Sequence, residues 1–497
     1  MPAENELNKI NKKPIIGEVT NFAAVSSNSN SSSAAGEQDF TQNQSKPINQ
    51  ETMFGEGSIG KIRFAGLAYM LQQEKIINLQ DNAKDFFASE KMTDFLAKKY
   101  PEKSGELQQE IGKFFSGDSE NATLADLTTH RAGTGDLTRD QGKLFEEKGI
   151  EQNYKITDLL LPIDKEKQVV KRDNNGKPSA QKGDNVEDKD LPEAKYGAHD
   201  YSNLGYMLLG LAMEQAYHQK NPESNKDYKK LLKDFMLEPV EGHAANSDLK
   251  FENTKFGEDL MPQDNLARST WFEKGELVDA TKFSGANAAG GAFTSAADST
   301  KFFNEFFKGF PSTPEYKQEN ANKFFSNETI ETMMAESLKF GNCGVNNSKG
   351  REGNERFQAP GFAFEIDKNS DKIISYEKGG NTFGYASFLS FNPETGAKID
   401  MVAQENVTNA VAQQQQKTVE NLMAENVGEN GKFNRKKMLN ENAPELLAKK
   451  EVKGVLNDLI GKISVPQNDK EDNLRPPENT KSKNPEKSSK NSAGRDL

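Results

Sequence analysis

The sequence contains very little cysteine and histidine. Cys343 is the single cysteine in 497 residues, so no internal disulfide can form, and its polar surroundings predict an inert thiol. The four histidines, His130, His199, His218 and His243, show no His-x-x-x-His spacing, so the sequence predicts no zinc site. Metal-dependent and disulfide-based chemistry are therefore not expected.

Long apolar runs and a surplus of positive charge are also missing. No apolar run approaches the roughly 20 residues that a membrane-spanning helix needs, so no transmembrane segment is predicted. The net charge is −12, and no basic stripe with interleaved aromatics is present, which argues against nucleic acid as a partner. Residues 1–9 lack the basic start and apolar centre of a secretory leader. The expected location is the cytoplasm, with leaderless export through the polar C-terminal tail as the alternative.

Apolar residues are scarce enough to imply unpacked segments. They make up 34% of the chain, and even with glycine added the share stays below that of an average globular protein. Residues 1–13 are polar and expected to be flexible, and residues 164–195 are charged and predict a surface insertion. Residues 467–497 are rich in Pro, Ser and Lys and predict a disordered tail.

The chain's most informative stretch is a glycine-rich turn that opens directly into an apolar run at residues 62–71. The run is apolar on nearly every side, which predicts a buried helix. Ser58 and Lys61 are three residues apart at its start, so they should lie about one helical turn from each other. The stretch thus puts a hydroxyl near the positive end of a helix, with an amine close to it.

Two phosphate-binding interpretations of this turn fail on context. Its three glycines satisfy the bare dinucleotide-binding pattern and nearly satisfy the P-loop pattern, but both patterns need a hydrophobic strand in front. Residues 46–52 are polar, and Ile62 stands where a P-loop has Ser or Thr for magnesium. The third interpretation is a serine nucleophile followed by a lysine, the Ser-x-x-Lys arrangement of serine β-lactamases and penicillin-binding proteins. The Ser-x-x-Lys motif alone is weak evidence, so this interpretation depends on finding the other catalytic motifs elsewhere in the chain.

The remaining pattern predicts helices in the middle of the chain and strands at both ends. A polar turn at residues 199–203 opens a second apolar helix at 204–216, and a phenylalanine-rich helix follows a small-residue turn at 288–298. Strands are predicted in the apolar segments before the first motif and after residue 357, the latter forming an antiparallel meander. The predicted strands cover one or two in 15–25, then 39–42, 362–366, 373–378, 386–391 and 398–403. Helices are predicted at 408–424 and 446–463, and residues 123–133 predict a capped short helix that ends at a glycine.

Several short motifs in the right order resemble the serine β-lactamase and penicillin-binding superfamily, specifically its class C-like branch. The first is the Ser-x-x-Lys motif at Ser58 and Lys61, with its apolar helix. Residues 127–133 resemble the Leu-Leu-x-His-x-Ser-Gly element, with Ala in place of the usual Ser. Tyr201 and Asn203 match the Tyr-x-Asn motif.

Two further elements extend the resemblance towards the C-terminus. Residues 289–295 resemble a Gly-Gly-x-x-Ser-Thr segment, and Lys378-Gly379-Gly380 matches the Lys-Thr-Gly motif with Gly379 in place of Thr. The resemblance implies one domain over about residues 14–425, followed by a helical extension at 426–466. It implies an α+β fold, with an antiparallel β-sheet flanked by helices and an inserted mainly helical region at about 90–285.

The resemblance also implies catalytic roles for Ser58, Lys61, Tyr201 and Lys378. Ser58 would be the nucleophile, and Lys61 would take its proton if burial and a second cation, Lys378, keep it neutral. Tyr201 would relay the proton to the leaving atom. The substrate-binding residues implied are Asn203, Gly380 and Asn381. Asn203 would orient Lys61 and bind the substrate amide, while the backbone N–H groups of Ser58 and Asn381 would bind the developing oxyanion.

The sequence thus predicts a serine acyl hydrolase that forms a covalent acyl-enzyme with an amide, lactam or ester and needs no cofactor. The expected partner is a small-molecule or peptide-like acyl substrate. Gly379 removes the hydroxyl that helps related enzymes hold a substrate carboxylate, which shifts the prediction from β-lactams towards other acyl donors. The alternative is a catalytically idle relative that serves as a binding or assembly module.

Overall fold

A computed structural model describes residues 22–28, 31–35, 38, 46–136, 156–161, 195–238, 249–273, 276–279, 287–341, 354–382 and 385–404. The strands are β1 Phe22–Asn28, β2 Ser32–Ala35, β3 Met53–Gly55, β4 Thr254–Phe256, β5 Thr270–Glu273, β6 Glu276–Asp279, β7 Ala292–Ser295, β8 Asn354–Gln358, β9 Ala363–Asp367, β10 Lys372–Thr382, β11 Tyr385–Asn392 and β12 Gly396–Gln404. The α-helices are α1 Gly60–Gln73, α2 Ala83–Ala88, α3 Glu90–Lys99, α4 Ser104–Phe114, α5 Leu124–Thr128, α6 Ile156–Leu160, α7 Asn203–Lys220, α8 Tyr228–Leu232, α9 Ala296–Phe307 and α10 Asn327–Leu338.

The main sheet has seven strands in the order β2-β1-β12-β11-β10-β9-β8. Its paired strands run antiparallel, and β1 joins β12 with Phe22 opposite Gln404. Strands from early and late in the sequence are therefore neighbours, while most of the helices described lie between them along the chain. This confirms the predicted α+β fold with an antiparallel sheet.

The strands of the predicted meander follow the sequence pattern closely. Along β11 the side chains alternate between buried and partly exposed, as expected for a strand with one face against the core. The strands β10 to β12 cover the predicted segments 373–378, 386–391 and 398–403, and β9 lies one residue later than the predicted 362–366. The predicted segment at 15–25 is described only from Phe22, where β1 begins.

Helix α1 lies in the core, as its apolar sequence predicts. Each residue from Gly60 to Leu71 is buried, including Arg63, whose Nε donates to Glu56 Oε2 over 3.0 Å. The Arg63 guanidinium also lies 4.1 Å from the centre of the Phe302 ring on α9. Hydrogen bonding and stacking therefore offset much of the cost of burying this charge.

The phenylalanines of α9 join the helices to the main sheet. Phe302, Phe303, Phe306 and Phe307 have no exposed surface. The ring centre of Phe307 lies 4.9 Å from that of Phe391 on β11. Burial of each such side chain contributes roughly 1.5–3 kcal/mol, so this cluster is a main source of the sheet's attachment to α9.

Two local features differ from the sequence prediction. The short helix α5 was expected to end at a glycine, but the chain leaves it through His130, whose φ is +60°. A second, three-stranded sheet in the order β3-β7-β4 was not predicted. Its β3 directly precedes the serine turn, and β7 lies within the segment interpreted as a small-residue turn.

The domain boundaries at 14 and 425 stay predictions. Several other predictions fall outside the described part of the chain. These are the flexible N-terminus 1–13, the strand at 39–42, the insertion 164–195, the inert thiol of Cys343, the helices at 408–424 and 446–463, the extension 426–466 and the tail 467–497.

Candidate active site

The serine of the first motif sits on a sharp turn between a strand and the buried helix. Strand β3 ends at Gly55, and a 3₁₀ turn over Gly57–Ile59 carries Ser58 before α1 begins at Gly60. Gly57 has φ +54°, and Gly290 lies so close behind it that a Cβ at 290 would be 2.4 Å from the Gly57 carbonyl oxygen. Close backbone packing thus holds the turn and leaves Ser58 partly exposed.

Lys61 extends from the first turn of α1 to the Ser58 hydroxyl. Its Nζ lies 3.2 Å from Ser58 Oγ and donates to Asn203 Oδ1 over 2.7 Å and to the Ala289 carbonyl over 2.5 Å. The side chain has no exposed surface. The amine is therefore fixed beside the serine by acceptors from two other parts of the chain.

The electrostatic surroundings favour the neutral form of Lys61. Burial lowers the pKa of its amine well below the ordinary value, and the positive charge of Lys378 lowers it further. The Asp136 carboxylate acts in the opposite direction. A lysine with a strongly lowered pKa can accept a proton near neutral pH.

Tyr201 lies between the two lysines and contacts the serine. Its hydroxyl hydrogen bonds to Ser58 Oγ. Its ring centre is 4.9 Å from Lys61 Nζ and 5.1 Å from Lys378 Nζ. Burial raises the pKa of the Tyr201 phenol, so the phenol stays protonated at neutral pH. Of the two groups beside Ser58, Lys61 is therefore the one suited to accept a proton first.

His130 packs against the ring of Tyr201. Its ring centre lies 4.5 Å from that of Tyr201, and its Nδ1 accepts a hydrogen bond from the Ser202 backbone N–H over 3.1 Å. Burial lowers the pKa of the imidazole well below its ordinary value, so His130 is neutral at pH 7. These contacts indicate a structural role for His130.

Strand β10 forms the opposite wall of the site. Burial and the charge of Arg356 lower the pKa of Lys378 to about 7. The pairing of β10 with β9 ends at Glu377, whereas its pairing with β11 continues to Thr382. The segment that contains Lys378 therefore has one edge that is not paired with β9.

Gly380 brings β10 against the serine turn. A Cβ at this position would be 2.2 Å from the Glu56 carbonyl oxygen and 2.4 Å from Ser387 Oγ. The Ser387 hydroxyl donates to that same carbonyl over 2.7 Å, which joins β11 to the turn. Asn381 follows on β10, opposite Ala386 of β11.

The structure thus brings Ser58, Lys61, Tyr201 and Lys378 to one place, with Asn203 on Lys61 and the Gly380 backbone against the turn. Their chemical roles stay predictions. One residue of this network was missed, Asp136, which contacts Asn203. The available signal was an acidic residue in a Gly-Thr-Gly-Asp loop shortly after the histidine element, but such a loop has no periodicity to distinguish it.

Within the described ranges, no group of three or more His, Cys, Asp or Glu side chains is placed to hold a metal ion. In the same ranges, no helix combines the length and the apolar character needed to cross a bilayer.

Comparison with protein families assigns the chain to a family. The Beta-lactamase family model matches residues 23–424, which is most of the chain. The protein therefore belongs to the Beta-lactamase family, and the resemblance drawn from its motifs is confirmed. A search of curated proteins gives no match.

Solved structures with the same architecture include an octameric penicillin-binding protein homologue from Pyrococcus abyssi. It has 18% identity and a TM-score of 0.50, and the match covers 81% of this chain and 72% of that one. A D-stereospecific amidohydrolase from Streptomyces sp. has 14% identity and a TM-score of 0.48, with 80% and 94% covered. D-amino acid amidase from Ochrobactrum anthropi SV3 has 16% identity and a TM-score of 0.46, with 81% and 91% covered. At these identities the likeness concerns the fold.

Proposed function

We propose that the protein is a serine acyl hydrolase that works through a covalent acyl-enzyme on an amide, a lactam or an ester. The observation that carries the proposal is the environment of Ser58 Oγ, which contacts both the Lys61 amine at 3.2 Å and the Tyr201 hydroxyl. A serine hydroxyl is a weak nucleophile unless a neighbouring base takes its proton. Here the neighbouring amine has the lowered pKa that this task requires.

In the proposed acylation step, Ser58 Oγ attacks the substrate carbonyl carbon as its proton moves to Lys61 Nζ. The carbonyl oxygen becomes an oxyanion, for which the backbone N–H groups of Ser58 and Asn381 are the proposed donors. The carbon–nitrogen or carbon–oxygen bond then breaks, and the leaving atom takes a proton through the Tyr201 hydroxyl. The products are the ester of Ser58 and the free amine or alcohol.

Deacylation reverses the roles of the same groups. A water molecule attacks the ester carbonyl as one of its protons moves to Lys61 Nζ, and a proton returns from Lys61 to Ser58 Oγ through the Tyr201 hydroxyl. Ser58 Oγ leaves and recovers its proton, which releases the carboxylic acid. Lys378 contributes by its charge, because it lowers the pKa of Lys61 and so increases the neutral fraction of the base.

The open space beside Gly379 supports substrates that lack a carboxylate at this point. Gly379 is exposed, and a Cβ placed there would meet nothing within 4 Å. Without a hydroxyl at this position, the wall has lost one donor that a carboxylate needs. We therefore favour simple amides and esters over carboxylate-bearing lactams.

Labelling at Ser58 tests the proposal. Intact mass should increase by one acyl group after incubation with an activated ester or a fluorophosphonate, and Ser58→Ala should abolish the increase. The matched control is Ser337→Ala, since Ser337 is a buried serine of α10 that donates to Met333 O over 2.9 Å. Labelling that persists in Ser58→Ala, with Ser337→Ala unchanged, would remove Ser58 from its role.

The alternative is a catalytically idle member of the family that binds partners. That alternative gives no reason to keep a buried amine with a lowered pKa against a serine hydroxyl. Hydrolysis of a chromogenic ester separates the two. Turnover that is lost in Ser58→Ala supports the hydrolase, whereas absence of turnover and of labelling supports the binding module.

A further inference from the structure

A buried carboxylate stands behind the residues that surround Lys61. Asp136 has no exposed surface. Its Oδ1 accepts from the backbone N–H groups of Asn203 at 2.7 Å and Leu204 at 3.1 Å, which are the first two of α7. Its Oδ2 accepts from Asn203 Nδ2 at 3.2 Å. One carboxylate thus holds both the backbone and the side chain of Asn203.

These contacts decide which way the Asn203 amide points. A carboxylate only accepts hydrogen bonds, so the Asn203 atom that faces Asp136 must be the NH₂ group. The amide oxygen is then left for Lys61, whose Nζ donates to it over 2.7 Å. The hydrogen bonds between Asp136, Asn203 and Lys61 therefore have fixed donors and acceptors.

Capping of α7 does not by itself explain the arrangement. Ser202 Oγ already accepts from the Gly205 N–H over 2.8 Å, as an N-cap residue does. Asp136 adds acceptors for the two preceding N–H groups, but a cap has no need of the contact with Asn203 Nδ2. That contact affects only the side chain that binds Lys61.

We propose that Asp136 is a positioning residue for acyl transfer, which fixes the Asn203 amide so that Lys61 Nζ keeps an acceptor and stays on Ser58 Oγ. The inference rests on the proposed hydrolase function. It adds a residue outside the recognised motifs, one that acts on Lys61 through Asn203.

The charge of Asp136 acts on the same amine. The groups that face Lys61 are Lys378, Asp136, His130 and the rings of Tyr201 and Tyr206. His130 is neutral at pH 7 and both phenols have raised pKa values, so the charges that matter are Lys378 and Asp136. Lys378 lowers the pKa of Lys61 and Asp136 raises it.

The variant Asp136→Asn tests whether Asp136 sets the orientation of the Asn203 amide. Oδ1 faces two backbone donors and must stay an oxygen, so the new NH₂ replaces Oδ2 and faces the Asn203 NH₂. Two donors repel each other, and the Asn203 amide relieves this by rotating through 180°. Its NH₂ then faces Lys61, where it destabilises the ammonium and occupies the lone pair of the neutral amine.

The expected result has two parts that a simple loss of capping does not give. The plateau of kcat/KM for an activated ester falls roughly ten- to a hundredfold, because the base is misdirected. The acidic limb of the pH profile moves to lower pH, because both the lost charge and the rotated amide lower the pKa of Lys61. NMR of ¹³C-ε-lysine protein, with the Lys61 signal assigned through Lys61→Met, should show the same downward shift without any substrate.

The control is Asp298→Asn, an equal change at another buried carboxylate that accepts a backbone N–H. Asp298 accepts from the Asn253 N–H over 2.8 Å and from Thr254 Oγ1 over 3.2 Å. It should lose stability without moving the Lys61 titration. The proposal is wrong if Asp136→Asn leaves the Lys61 titration unchanged, whether or not activity falls.

A double exchange keeps the proposal falsifiable if the single variant does not fold. Asp136→Asn combined with Asn203→Asp restores a donor facing an acceptor and again gives Lys61 an acceptor, now a charged one. The pKa of Lys61 should then rise above that of the wild type. A value at or below the wild type overturns the proposal. If the titration shifts as expected but neither the wild type nor any variant hydrolyses an ester or is labelled, the hydrolase assignment fails, while the positioning of Asn203 and Lys61 by Asp136 stands.

Discussion

The site has a helical wall, formed by α1 and α7, and a strand wall, formed by β10. The two walls differ in how tightly their residues are packed. On the helical wall, Lys61 is fully buried and fixed by three hydrogen-bonding atoms, and Asn203 is held in turn by Asp136. On the strand wall, Lys378 is partly exposed and Gly379 faces open space. Only Gly380, one residue further on, is packed tightly against the turn.

The difference in packing between the two walls matches two different tasks, proton transfer and substrate binding. A group that moves a proton must be held in a single geometry, because a small misplacement is costly in rate. A wall that receives varied acyl groups needs space more than rigidity. The helical wall therefore belongs with the proton transfer and the strand wall with substrate choice, and each prediction below changes one of the two walls or their junction.

The largest effect is expected at the junction of the walls, from Gly380→Ala. The new methyl group would meet the Glu56 carbonyl oxygen at 2.2 Å and Ser387 Oγ at 2.4 Å, so β10 must move away from the serine turn. Because the Asn381 N–H moves with the strand, kcat/KM for an activated ester should fall by about a hundredfold or more. Steady-state kinetics and the unfolding midpoint measure this effect.

Gly379→Ala is the matched control for that change. It adds the same methyl group to the neighbouring residue of the same strand, where nothing lies within 4 Å. Its kcat/KM should stay within a factor of about two, since open surface positions change stability little. Equal losses in both variants would contradict the distinction between the junction and the open wall.

A medium effect is expected from Lys378→Met on the strand wall. Loss of this positive charge raises the pKa of Lys61, so the acidic limb of kcat/KM should move to higher pH and activity at pH 7 should fall by about tenfold. The pH profile of ester hydrolysis measures the shift. Lys398→Met, which changes a partly buried lysine elsewhere in the sheet, should leave the limb in place.

The same variant should change how stability depends on pH. The pKa of Lys378 is about 7 in the folded protein, below its ordinary value of 10.5. The unfolded state therefore binds more protons between these values, and the wild type should lose stability as pH falls from about 10 to 7. Denaturant unfolding of Lys378→Met should show a flatter pH dependence over this window, and an unchanged slope would contradict the lowered pKa.

The smallest effect on a simple ester is expected from Gly379→Thr. This variant tests whether residue 379 on the strand wall controls the binding of a substrate carboxylate. The site has room for the side chain, and its hydroxyl would supply the donor that a substrate carboxylate lacks here. Acylation by a penicillin should rise by about tenfold, as expected for a hydrogen bond to a charged group, while ester hydrolysis changes little. Rates of mass increase with the two reagents test this contrast.

The sequence predicted those parts of the molecule that carry a regular pattern. Helix α1 is apolar on nearly every side and is buried from Gly60 to Leu71, and the alternation in β11 places its residues on the expected faces. The prediction that Lys378 lies near Ser58 came from the resemblance, since the two residues are far apart in the sequence and no local pattern joins them. The proximity depends on the packing of β10 against the serine turn.

The features that were missed depend on contacts rather than on patterns. Strand β3 has only three residues, too few for alternation to show. His130 adopts a left-handed conformation that no local pattern indicates, and its contacts with Ser202 and Tyr201 hold it there. Asp136 lies in a loop, and its importance comes entirely from the helix end that it meets in three dimensions.

The pairing of β1 with β12 has a consequence for synthesis on the ribosome. Gln404 is made almost four hundred residues after its partner Phe22. Strand β1 must therefore wait until β12 has been made before the two can pair. Over the same interval the turn with Ser58 has no Gly380 or Ser387 against it. A nascent chain should thus become reactive towards fluorophosphonate only after β12 has emerged from the ribosome.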